Sequence, residues 1–398
     1  MNKPLKVLHL FDLYLPQTMN WAYRAMLATP GAECWVAAPW IVQNTYFHPD
    51  FRFFIRPLQA WRPLPATEWT TRRLATGLVR SEKYWPLYRR WLQAKLRRAR
   101  PDVLHAHFGP VGCHYLPLAR QLQLPLVTSF YGYDYESLPF RKPAYLEQYR
   151  QLFQDAAAVT AMGPHGRQVL LEQGCPAEKA YVQPLGIIPA EFPFIPRQKT
   201  VGRLRLVQVA TITEKKGFLD TFQALQIIRE RCPRVQLTIA GEPFSPALVR
   251  QMQDYLRQQD LSEHVSWLES VPHAQLAEFL SRFDVFIHPS HYTASRDCEG
   301  GPVVVLEAQA TGLPVIATTH FDLPAEVLHG RTGLLAPERD PEALARHIER
   351  FYRMENEEYQ GFSRAARRHV EAHFDVKNSA AALSNLYQKV IRSADLAG

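Results

Sequence analysis

The most informative stretch of the chain reads, from residue 297 to residue 318, Asp-Cys-Glu-Gly-Gly-Pro-Val-Val-Val-Leu-Glu-Ala-Gln-Ala-Thr-Gly-Leu-Pro-Val-Ile-Ala-Thr. Pro302 follows small residues and predicts the start of a helix, because proline suits the first helical turn. Gly300 and Gly301 carry no Cβ, so a ligand can approach the backbone there. The exposed amides of a helix N-terminus favour a bound phosphate. A buried strand is predicted at Val315–Thr318, so the stretch reads as a helix and a strand of an α/β fold.

Two glutamates bracket the predicted helix start. Glu299 precedes the helix, and Glu307 lies between one and two turns inside it. A carboxylate at that position is well placed to accept hydrogen bonds from the vicinal hydroxyls of a sugar. An amphipathic helix with a capped N-terminus is the ordinary alternative, since two glutamates at this spacing are common. The stretch as a whole predicts a site for a phosphorylated, hydroxyl-rich ligand.

The full string resembles the Glu-x7-Glu motif of retaining family 4 glycosyltransferases, a large bacterial group with the GT-B fold. The likeness extends through residues 312–318, Gly-Leu-Pro-Val-Ile-Ala-Thr, and residues 330–335, Gly-Arg-Thr-Gly-Leu-Leu. In that family the second glutamate holds the nucleotide ribose and the first lies near the donor sugar. The resemblance implies these roles for Glu307 and Glu299.

Composition places the chain among globular proteins of two domains. Its 398 residues suit two domains of about 200 residues, and a hydrophobic fraction of 46% supplies two cores. No stretch approaches the roughly 18–20 apolar residues that span a bilayer, and the N-terminus reads as a first strand rather than a signal peptide. The five cysteines are widely spaced, which predicts neither a disulfide framework nor a zinc knuckle and favours the reducing cytoplasm.

One basic segment accounts for the whole net charge of +8. Between Arg72 and Arg100 lie ten lysines or arginines and one acid, Glu82, so the segment carries +9 and the remainder −1. Apolar residues recur in it at helical spacing, as Leu87, Trp91 and Ala94 or as Tyr88, Leu92 and Leu96. A basic amphipathic helix of this kind suits an anionic membrane surface or a lipid-linked acceptor. The solvated face of a packed helix is the alternative, and no nucleic-acid partner is expected, because no nucleic-acid motif accompanies the charge.

Short apolar strands alternate with helical stretches along both halves of the chain. The predicted strands are Val7–Phe11, Cys34–Ala37, Phe53–Ile55, Val103–His107, Leu126–Phe130, Val159–Met162, Tyr181–Gln183, Leu204–Ala210, Val235–Ala240, Val265–Leu268, Val285–His288, Val315–Thr318 and Leu334–Ala336. Their apolar character points to parallel sheets covered by helices. A proline-rich stretch that ends near Thr200 marks the domain boundary.

The expected fold class is therefore α/β, with two doubly wound, Rossmann-like domains facing each other across a cleft, as in GT-B. The N-terminal, acceptor-side domain covers residues 1–190, and a linker covers 191–203. The C-terminal, nucleotide-sugar-binding domain covers residues 204–370. Residues 371–398 form a helix that, by the resemblance, returns to the N-terminal domain.

The loop after the first strand of the second half carries a candidate phosphate ligand. Lys216 precedes a glycine at a strand-to-helix turn, where a point charge can neutralise a leaving diphosphate, although an exposed turn lysine is the alternative. In the resembled family an arginine earlier in this loop and the lysine before the glycine both hold the diphosphate. Lys216 matches the lysine, whereas Thr211 stands where the arginine is expected. The candidates to replace the missing cation are Lys215, Arg203 and Arg205.

A strand of the first half ends in two histidines, His105 and His107. They share one face of the strand and as a pair suggest metal ligands, but no third ligand and no Asp-x-Asp stand out, so no metal is expected. The string His-Ala-His-Phe-Gly resembles a segment of family 4 enzymes of polysaccharide assembly, where it lies near the cleft. A structural histidine that bonds to the backbone is the alternative.

The next strand ends in Tyr131-Gly-Tyr-Asp134, where the family usually has His-Gly-x-Asp. Tyrosine donates a hydrogen bond to a sugar hydroxyl or a phosphate oxygen but does not titrate near neutrality, so an acid–base role is not carried over. Asp134 is expected either to contact the acceptor or to cap the following helix. The N-terminal loop lacks the family's Gly-rich or Ser-Glu-Thr sequence and offers Thr18 and Asn20 as acceptor contacts.

The sequence predicts a glycosyltransferase that moves a sugar from a UDP-, GDP- or ADP-sugar to a glycan or lipid-linked acceptor. By the resemblance the anomeric configuration is retained, and neither a metal nor another cofactor is expected. The predicted catalytic residues are Glu299, Lys216 and Tyr131; the donor site adds Glu307, Gly300, Gly301, Pro302 and Thr211; the acceptor side has His107, Asp134, Thr18 and Asn20. The alternative is a degenerate member that binds a nucleotide sugar as a scaffold subunit without turnover. The expected location is the cytoplasm, with peripheral binding to the inner face of the cytoplasmic membrane through the basic segment.

Overall fold

A computed structural model describes residues 3–14, 19–41, 51–54 and 84–397. The chain forms two compact units. The first comprises Met1–Gly186 together with Val376–Gly398, and the second comprises Ile187–Asp375. The second unit thus begins ahead of the predicted linker and contains residues 191–203.

A parallel sheet of seven strands lies at the centre of the first unit. The described strands of this unit are β1 (Leu5–Leu10), β2 (Leu13–Tyr14), β3 (Ala32–Ala37), β4 (Trp40–Ile41), β5 (Arg52–Phe54), β6 (Val103–His107), β7 (Leu126–Ser129), β8 (Ala158–Ala161) and β9 (Ala180–Val182). The order in the sheet is β5-β3-β1-β6-β7-β8-β9, and β2 and β4 form a separate pair. All seven strands predicted for this half are confirmed to within two residues at the ends that the structure describes; Ile55, the predicted end of the third, lies outside the described residues. The short pair is not predicted by the sequence.

Helices follow most of these strands. Their described bounds are α1 (Asn20–Ala28), α2 (Tyr84–Ala99), α3 (Gly109–Leu122), α4 (Ser137–Arg141), α5 (Ala144–Asp155) and α6 (Pro164–Glu172). The strands β6, β7 and β8 are fully buried along their length, and none of them carries an Asp, Glu, Lys or Arg.

The second unit repeats the architecture with six parallel strands. They are β10 (Leu204–Val209), β11 (Val235–Ala240), β12 (Val265–Leu268), β13 (Val285–His288), β14 (Val315–Thr318) and β15 (Gly333–Ala336), in the order β12-β11-β10-β13-β14-β15. The helices are α7 (Phe218–Ile228), α8 (Pro246–Gln258), α9 (Leu276–Leu280), α10 (Val303–Ala310), α11 (Leu323–Glu326), α12 (Pro341–Arg353) and α13 (Asn356–His373). The six strands predicted for this half are confirmed to within one residue.

The last helix, α14 (Val376–Ala397), belongs to the first unit, where it packs against α1. Leu383 and Tyr387 of α14 share a core cluster with Val7 of β1 and Val103 of β6. The C-terminal helix therefore starts at Val376 rather than at residue 371, and it completes the core of the N-terminal unit.

Each sheet has one point at which the strand order reverses, between β1 and β6 in the first and between β10 and β13 in the second. Ligands of open parallel sheets gather at the carboxyl ends of the strands at such points. His107 ends β6, His288 ends β13, and Lys216 lies in the loop after β10. The fold therefore places these residues where such a sheet binds its ligand.

The stretch predicted as a linker is held in the second unit by two buried cations. The Arg197 guanidinium donates to the Phe283 carbonyl at 2.7 Å and to Thr311 Oγ1 at 3.0 Å. The Lys199 ammonium donates to the carbonyls of Tyr352 and Met354, both at 3.1 Å. A buried cation is stable only when its donors are paired in this way. The proline content suggested a connection between domains, but these tertiary contacts make the stretch part of the second unit.

Candidate active site

The loop after β10 is shaped by one obligatory glycine. Glu214–Lys216 form a 3₁₀ turn, and Gly217 follows with φ of +66° before α7 begins. A Cβ at Gly217 would lie 2.0 Å from the carbonyl oxygen of Pro289. Only glycine fits this backbone, so the turn fixes Lys216 near the carboxyl end of β10.

Lys216 and Glu299 form a partly buried ion pair. Lys216 Nζ contacts Glu299 Oε2, and both side chains are 13% exposed. Burial, followed by the neighbouring Lys215 ammonium, lowers the pKa of Lys216 to about 7. Lys215 donates to Asp297 Oδ1 at 3.1 Å and to the Cys298 carbonyl at 2.8 Å, which ties the Glu299 loop to the lysine turn. The structure therefore brings together two of the three residues that the sequence predicts to be catalytic.

Two histidines that the sequence reasoning missed support Glu299. The Glu299 backbone N–H donates to His320 Nε2 at 2.9 Å, so the His320 proton is on Nδ1, which lies 2.7 Å from Glu338 Oε1. His288 is fully buried, and its Nε2 lies 3.8 Å from Glu299 Oε2. Burial and then the Lys216 ammonium lower the pKa of His288 well below its ordinary value, so its ring is neutral. Both histidines stand at or just after a strand end, which is the sequence signal that identifies them.

Helix α10 starts where the proline predicts. Pro302 directly precedes it, Gly300 is buried and Gly301 is half-buried, and no side chain caps its N-terminus among the described residues. The capped helix, which was the alternative interpretation, is therefore not observed. Glu307 is only 4% exposed, and its Oε1 accepts a hydrogen bond from His273 Nε2 at 2.9 Å. The helix thus presents an uncapped N-terminus and an oriented carboxylate further along.

The arginine that is missing at Thr211 is not replaced from the start of β10. Thr211 is exposed just beyond the carboxyl end of the strand. Arg203 and Arg205 lie at the amino end of β10, and the strand between the two ends is about 16 Å long for a rise of about 3.3 Å per residue. Arg205 donates two hydrogen bonds to the Asp284 carboxylate, at 3.1 and 2.7 Å. Of the three candidates, only Lys215 lies at this end of the strand.

In the first unit Tyr131 begins a chain of hydrogen bonds. Tyr131 Oη lies 2.7 Å from His107 Nδ1, and His107 Nε2 lies 2.9 Å from His9 Nδ1. The two histidines are buried, whereas Tyr131 is partly exposed. Phe11 stacks on His107 with ring centroids 4.3 Å apart, and Trp21 packs against Tyr131 at 4.4 Å. The sequence gives no sign of His9, because its contact with His107 depends on the pairing of β1 with β6.

His105 completes a cluster with His9 and His107, in which ligand atoms lie within 4.8 Å of one another. Burial lowers the pKa of His105 to about 3, and burial together with His105 lowers those of the other two well below their ordinary values. His105 Nδ1 lies 2.6 Å from Tyr387 Oη, and its Nε2 lies 2.7 Å from Ser129 Oγ. Both nitrogens of His105 are thus engaged in hydrogen bonds, and the three rings are neutral parts of a polar core.

Asp134 supports the backbone around Tyr131. Its Oδ2 accepts from the Gly109 N–H and its Oδ1 from the Tyr131 N–H, both at 2.8 Å. Burial raises the pKa of Asp134 to about 6, although these backbone hydrogen bonds oppose the shift. Asp134 therefore caps the preceding helix, α3, at its first residue, and not the following helix, as one of the two predictions had it. It connects that helix to the Tyr131 loop.

A cavity of about 500 Å³ opens beside this loop in the first unit. Its walls are mostly aromatic and aliphatic, and its charged lining residues are Asp12, Asp134, Arg141 and Lys142. Asn20 begins α1 and is half-buried. Thr18, the other predicted acceptor contact, lies outside the described residues. The cavity has the size and the mixed lining of a small-molecule site.

The basic segment is described from residue 84 onward, as α2. Tyr88, Leu92 and Leu96 form its buried stripe, which selects one of the two predicted patterns. Its outward side exposes Leu87 and three arginines, Arg90, Arg97 and Arg98. Among the described residues no helix has both the length and the apolar content needed to cross a membrane.

Two Rossmann-like units, each built on a parallel sheet, are the architecture of a GT-B glycosyltransferase. Residues 193–369 match the family described as glycosyl transferases group 1, and residues 46–186 match the glycosyl transferase 4-like domain. The chain is 31% identical to the putative colanic acid biosynthesis glycosyltransferase WcaL of Escherichia coli over 293 residues, 73% of this chain and 71% of the relative. The chain therefore belongs to the group 1 glycosyltransferases, the family 4 type that its motifs predict.

Other similarities agree with this assignment. The amylovoran biosynthesis glycosyltransferase AmsK of Erwinia amylovora is 32% identical over 246 residues, 61% of this chain and 60% of that protein. The Anabaena protein HepE, solved with UDP and glucose, superposes with a TM-score of 0.73 at 15% identity over 97% of this chain and all of that one. A glycosyltransferase from Rickettsia africae gives a TM-score of 0.76 at 15% identity, with 98% and 99% of the chains covered. The predicted GT-B fold is confirmed.

Proposed function

We propose that this glycosyltransferase moves a sugar from a nucleoside-diphosphate donor to a polysaccharide or lipid-linked glycan, with retention of configuration and without a bound metal. The observation that carries the proposal is the partly buried pair of Lys216 and Glu299 beside the uncapped start of α10. The names of the relatives from colanic acid and amylovoran biosynthesis support a bacterial polysaccharide as the product.

The donor binds the second unit through its diphosphate and its ribose. A diphosphate carries more charge than a carboxylate, so it competes with Glu299 for the Lys216 ammonium, and Glu299 is released to accept hydrogen bonds from the sugar hydroxyls. The backbone at Gly300 and Gly301 and the start of α10 bind phosphate oxygens. Glu307, oriented by His273, accepts hydrogen bonds from the ribose hydroxyls.

The same lysine assists departure of the nucleoside diphosphate. Negative charge grows on the diphosphate as its bond to the sugar breaks, and a fixed cation in a buried site stabilises that charge strongly. Thr211 offers a hydroxyl but no charge. Lys216, with Lys215 behind it, therefore supplies the electrostatic stabilisation that two cations share in the resembled family.

The acceptor binds the first unit at the carboxyl end of its sheet. Tyr131 donates a hydrogen bond to a ligand oxygen, His107 supports it, and Asp134 fixes the loop. The cavity next to them accommodates the acceptor's sugar and its carrier, and Asn20 remains a candidate contact on the N-terminal side. The exposed arginines of α2 hold the enzyme against the anionic inner face of the cytoplasmic membrane, where a lipid-linked acceptor is found.

The donor proposal is tested by thermal unfolding in the presence of UDP, GDP, ADP and their common sugar conjugates, with and without magnesium. One base series should raise the melting temperature equally in both conditions, because a ligand at 100 times its Kd stabilises the folded state by about 2.7 kcal/mol. Lys216→Met should abolish the shift, whereas Lys389→Met, an exposed lysine of the first unit, should keep it. A shift that requires magnesium contradicts the metal-free site, and no shift with any nucleotide contradicts the donor site.

Affinity for the nucleotide sugar should fall as the pH rises above about 7. Lys216 has a lowered pKa of about 7, so above that pH its side chain is mostly neutral in the free protein and must take up a proton to bind the diphosphate. The Kd should then rise by roughly tenfold per pH unit, as expected for one linked proton. Calorimetry at pH 8 in buffers of different ionisation enthalpy should detect proton uptake that is small at pH 6. Equal affinity from pH 6 to pH 9 would show that binding is not linked to protonation of Lys216.

Membrane association should depend on the outward face of α2. Reversing Arg90, Arg97 and Arg98 to glutamate changes the local charge by six and should abolish co-sedimentation with vesicles that contain phosphatidylglycerol, because each basic residue near an anionic surface contributes about 1 kcal/mol. A matched control reverses three arginines of the second unit that are also exposed: Arg353, Arg364 and Arg368. If both triple variants co-sediment like the parent protein, α2 is not a membrane-binding surface.

A further inference from the structure

In the hydrogen-bond chain of Tyr131, His107 and His9, the direction in which each group donates is set by His9 at the buried end. A neutral imidazole has one N–H donor and one nitrogen acceptor, so the tautomer of one ring fixes that of the next. If Tyr131 donates to His107 Nδ1, then His107 donates from Nε2 to His9, and His9 carries its proton on Nε2. If His9 donates from Nδ1 instead, His107 donates from its own Nδ1 to Tyr131 Oη.

The two arrangements differ in what they leave unpaired. His9 is 1% exposed, and its Nε2 has no hydrogen-bond partner among the described residues. The first arrangement leaves a buried N–H without an acceptor, whereas the second leaves only a lone pair without a donor. Orphaned buried N–H groups are rarer in proteins than under-satisfied acceptors, so the second arrangement is favoured.

We propose that His9 and His107 are positioning residues that hold the Tyr131 hydroxyl with its proton turned away from His107, as a hydrogen-bond donor to a sugar or phosphate oxygen. This inference rests on the proposed function, since it specifies how the acceptor side of that site presents Tyr131. It assigns a role to His9, which contacts no ligand itself and lies on a different strand from the tyrosine loop.

Packing and charge support the arrangement. His107 lies between Phe11, stacked at 4.3 Å and 4°, and His105, stacked at 4.4 Å and 28°, so a ring flip that would exchange its nitrogens is hindered on both faces. Burial lowers the pKa of His107 well below its ordinary value, so the ring is neutral and carries one proton, on either Nδ1 or Nε2. Burial raises the pKa of Tyr131, although a hydrogen bond with Ser129 opposes the shift, so the phenol keeps the proton that it donates.

The tautomers can be measured directly. In protein with ¹⁵N-labelled histidine, His9 and His107 should both show a protonated Nδ1 and an unprotonated Nε2 at pH 7.5, assigned by the signals that His9→Asn and His107→Gln remove. A His107 that carries its proton on Nε2 would overturn the proposal. This readout needs no turnover and does not depend on the identity of the acceptor.

A matched pair of substitutions tests the function of the chain. The amide nitrogen of His9→Asn can occupy the place of Nδ1 and donate to His107, whereas His9→Leu has a similar volume and no donor. His9→Leu should lower kcat by about tenfold, the worth of one hydrogen bond, with the donor KM unchanged, and His9→Asn should recover most of the loss. In a Tyr131→Phe background His9→Leu should have no further effect.

Other outcomes separate the two proposals. Equal losses for His9→Leu and His9→Asn, or a His9→Leu loss that persists in the Tyr131→Phe background, would show a purely structural role and overturn the inference. If the unsubstituted protein shows no thermal shift with any nucleotide sugar, the proposed donor site is refuted instead. If His9→Leu does not fold, the tautomer measurement decides.

Discussion

Replacing Glu299 with glutamine should lower the turnover of sugar transfer by about 10²–10³-fold, the range found when one electrostatic group is removed from a preorganised site. The substitution keeps the shape of the side chain but removes the charge that pairs with Lys216 and that would accept hydrogen bonds from the donor sugar. Steady-state kinetics with the nucleotide sugar identified by thermal unfolding would measure the effect.

Binding of the nucleoside diphosphate should not weaken in the Glu299→Gln protein. Without the carboxylate, nothing competes with the diphosphate for the Lys216 ammonium, so the Glu299→Gln protein should bind it at least as tightly as the parent protein. Glu342→Gln, an exposed glutamate of the same unit, is the matched control and should change neither property. Unaltered turnover in Glu299→Gln would eliminate the role given to this residue.

Gly217→Ala should destabilise the protein by about 3 kcal/mol and abolish nucleotide binding. Part of the cost is the left-handed backbone, which costs an alanine about 1–2 kcal/mol, and the rest is the displacement forced on the Pro289 carbonyl, typically about 1–3 kcal/mol. The free energy of unfolding from urea titration would measure the first effect and the nucleotide thermal shift the second. The loop that carries Lys216 would have to move, since the new Cβ would lie 2.0 Å from that oxygen.

Gly330→Ala is the control that separates the cost of the left-handed backbone from the cost of the clash with Pro289. Gly330 has a similar φ, +73°, but no atom lies within 4 Å of the position its Cβ would take. Its substitution should therefore cost only about 1–2 kcal/mol and leave nucleotide binding intact. Equal destabilisation by the two substitutions would mean that the collision with Pro289 has no energetic consequence.

The strands could be predicted because the local sequence of a buried strand is mostly apolar. Parallel strands covered on both faces need apolar runs, and β13 and β14 begin at such runs, Val285-Phe286-Ile287 and Val315-Ile316-Ala317. Pro302 and Gly217 could be interpreted in the same local way, because each residue type suits the backbone conformation at its own position. The domain boundary was less accessible, because the contacts of Arg197 and Lys199 that place residues 191–203 in the second unit join residues far apart in the sequence.

Local patterns and short spacings are enough to predict the fold class, the order of the main strands, the family resemblance and the candidates Lys216, Glu299 and Glu307. Which groups meet depends on the tertiary structure. It paired Lys216 with Glu299, set His320 beneath the Glu299 backbone, and joined His9 to Tyr131 through His107. These contacts depend on strand neighbours that are distant in the chain, and burial there, not residue type, sets which histidines are neutral and which lysine has its pKa near 7.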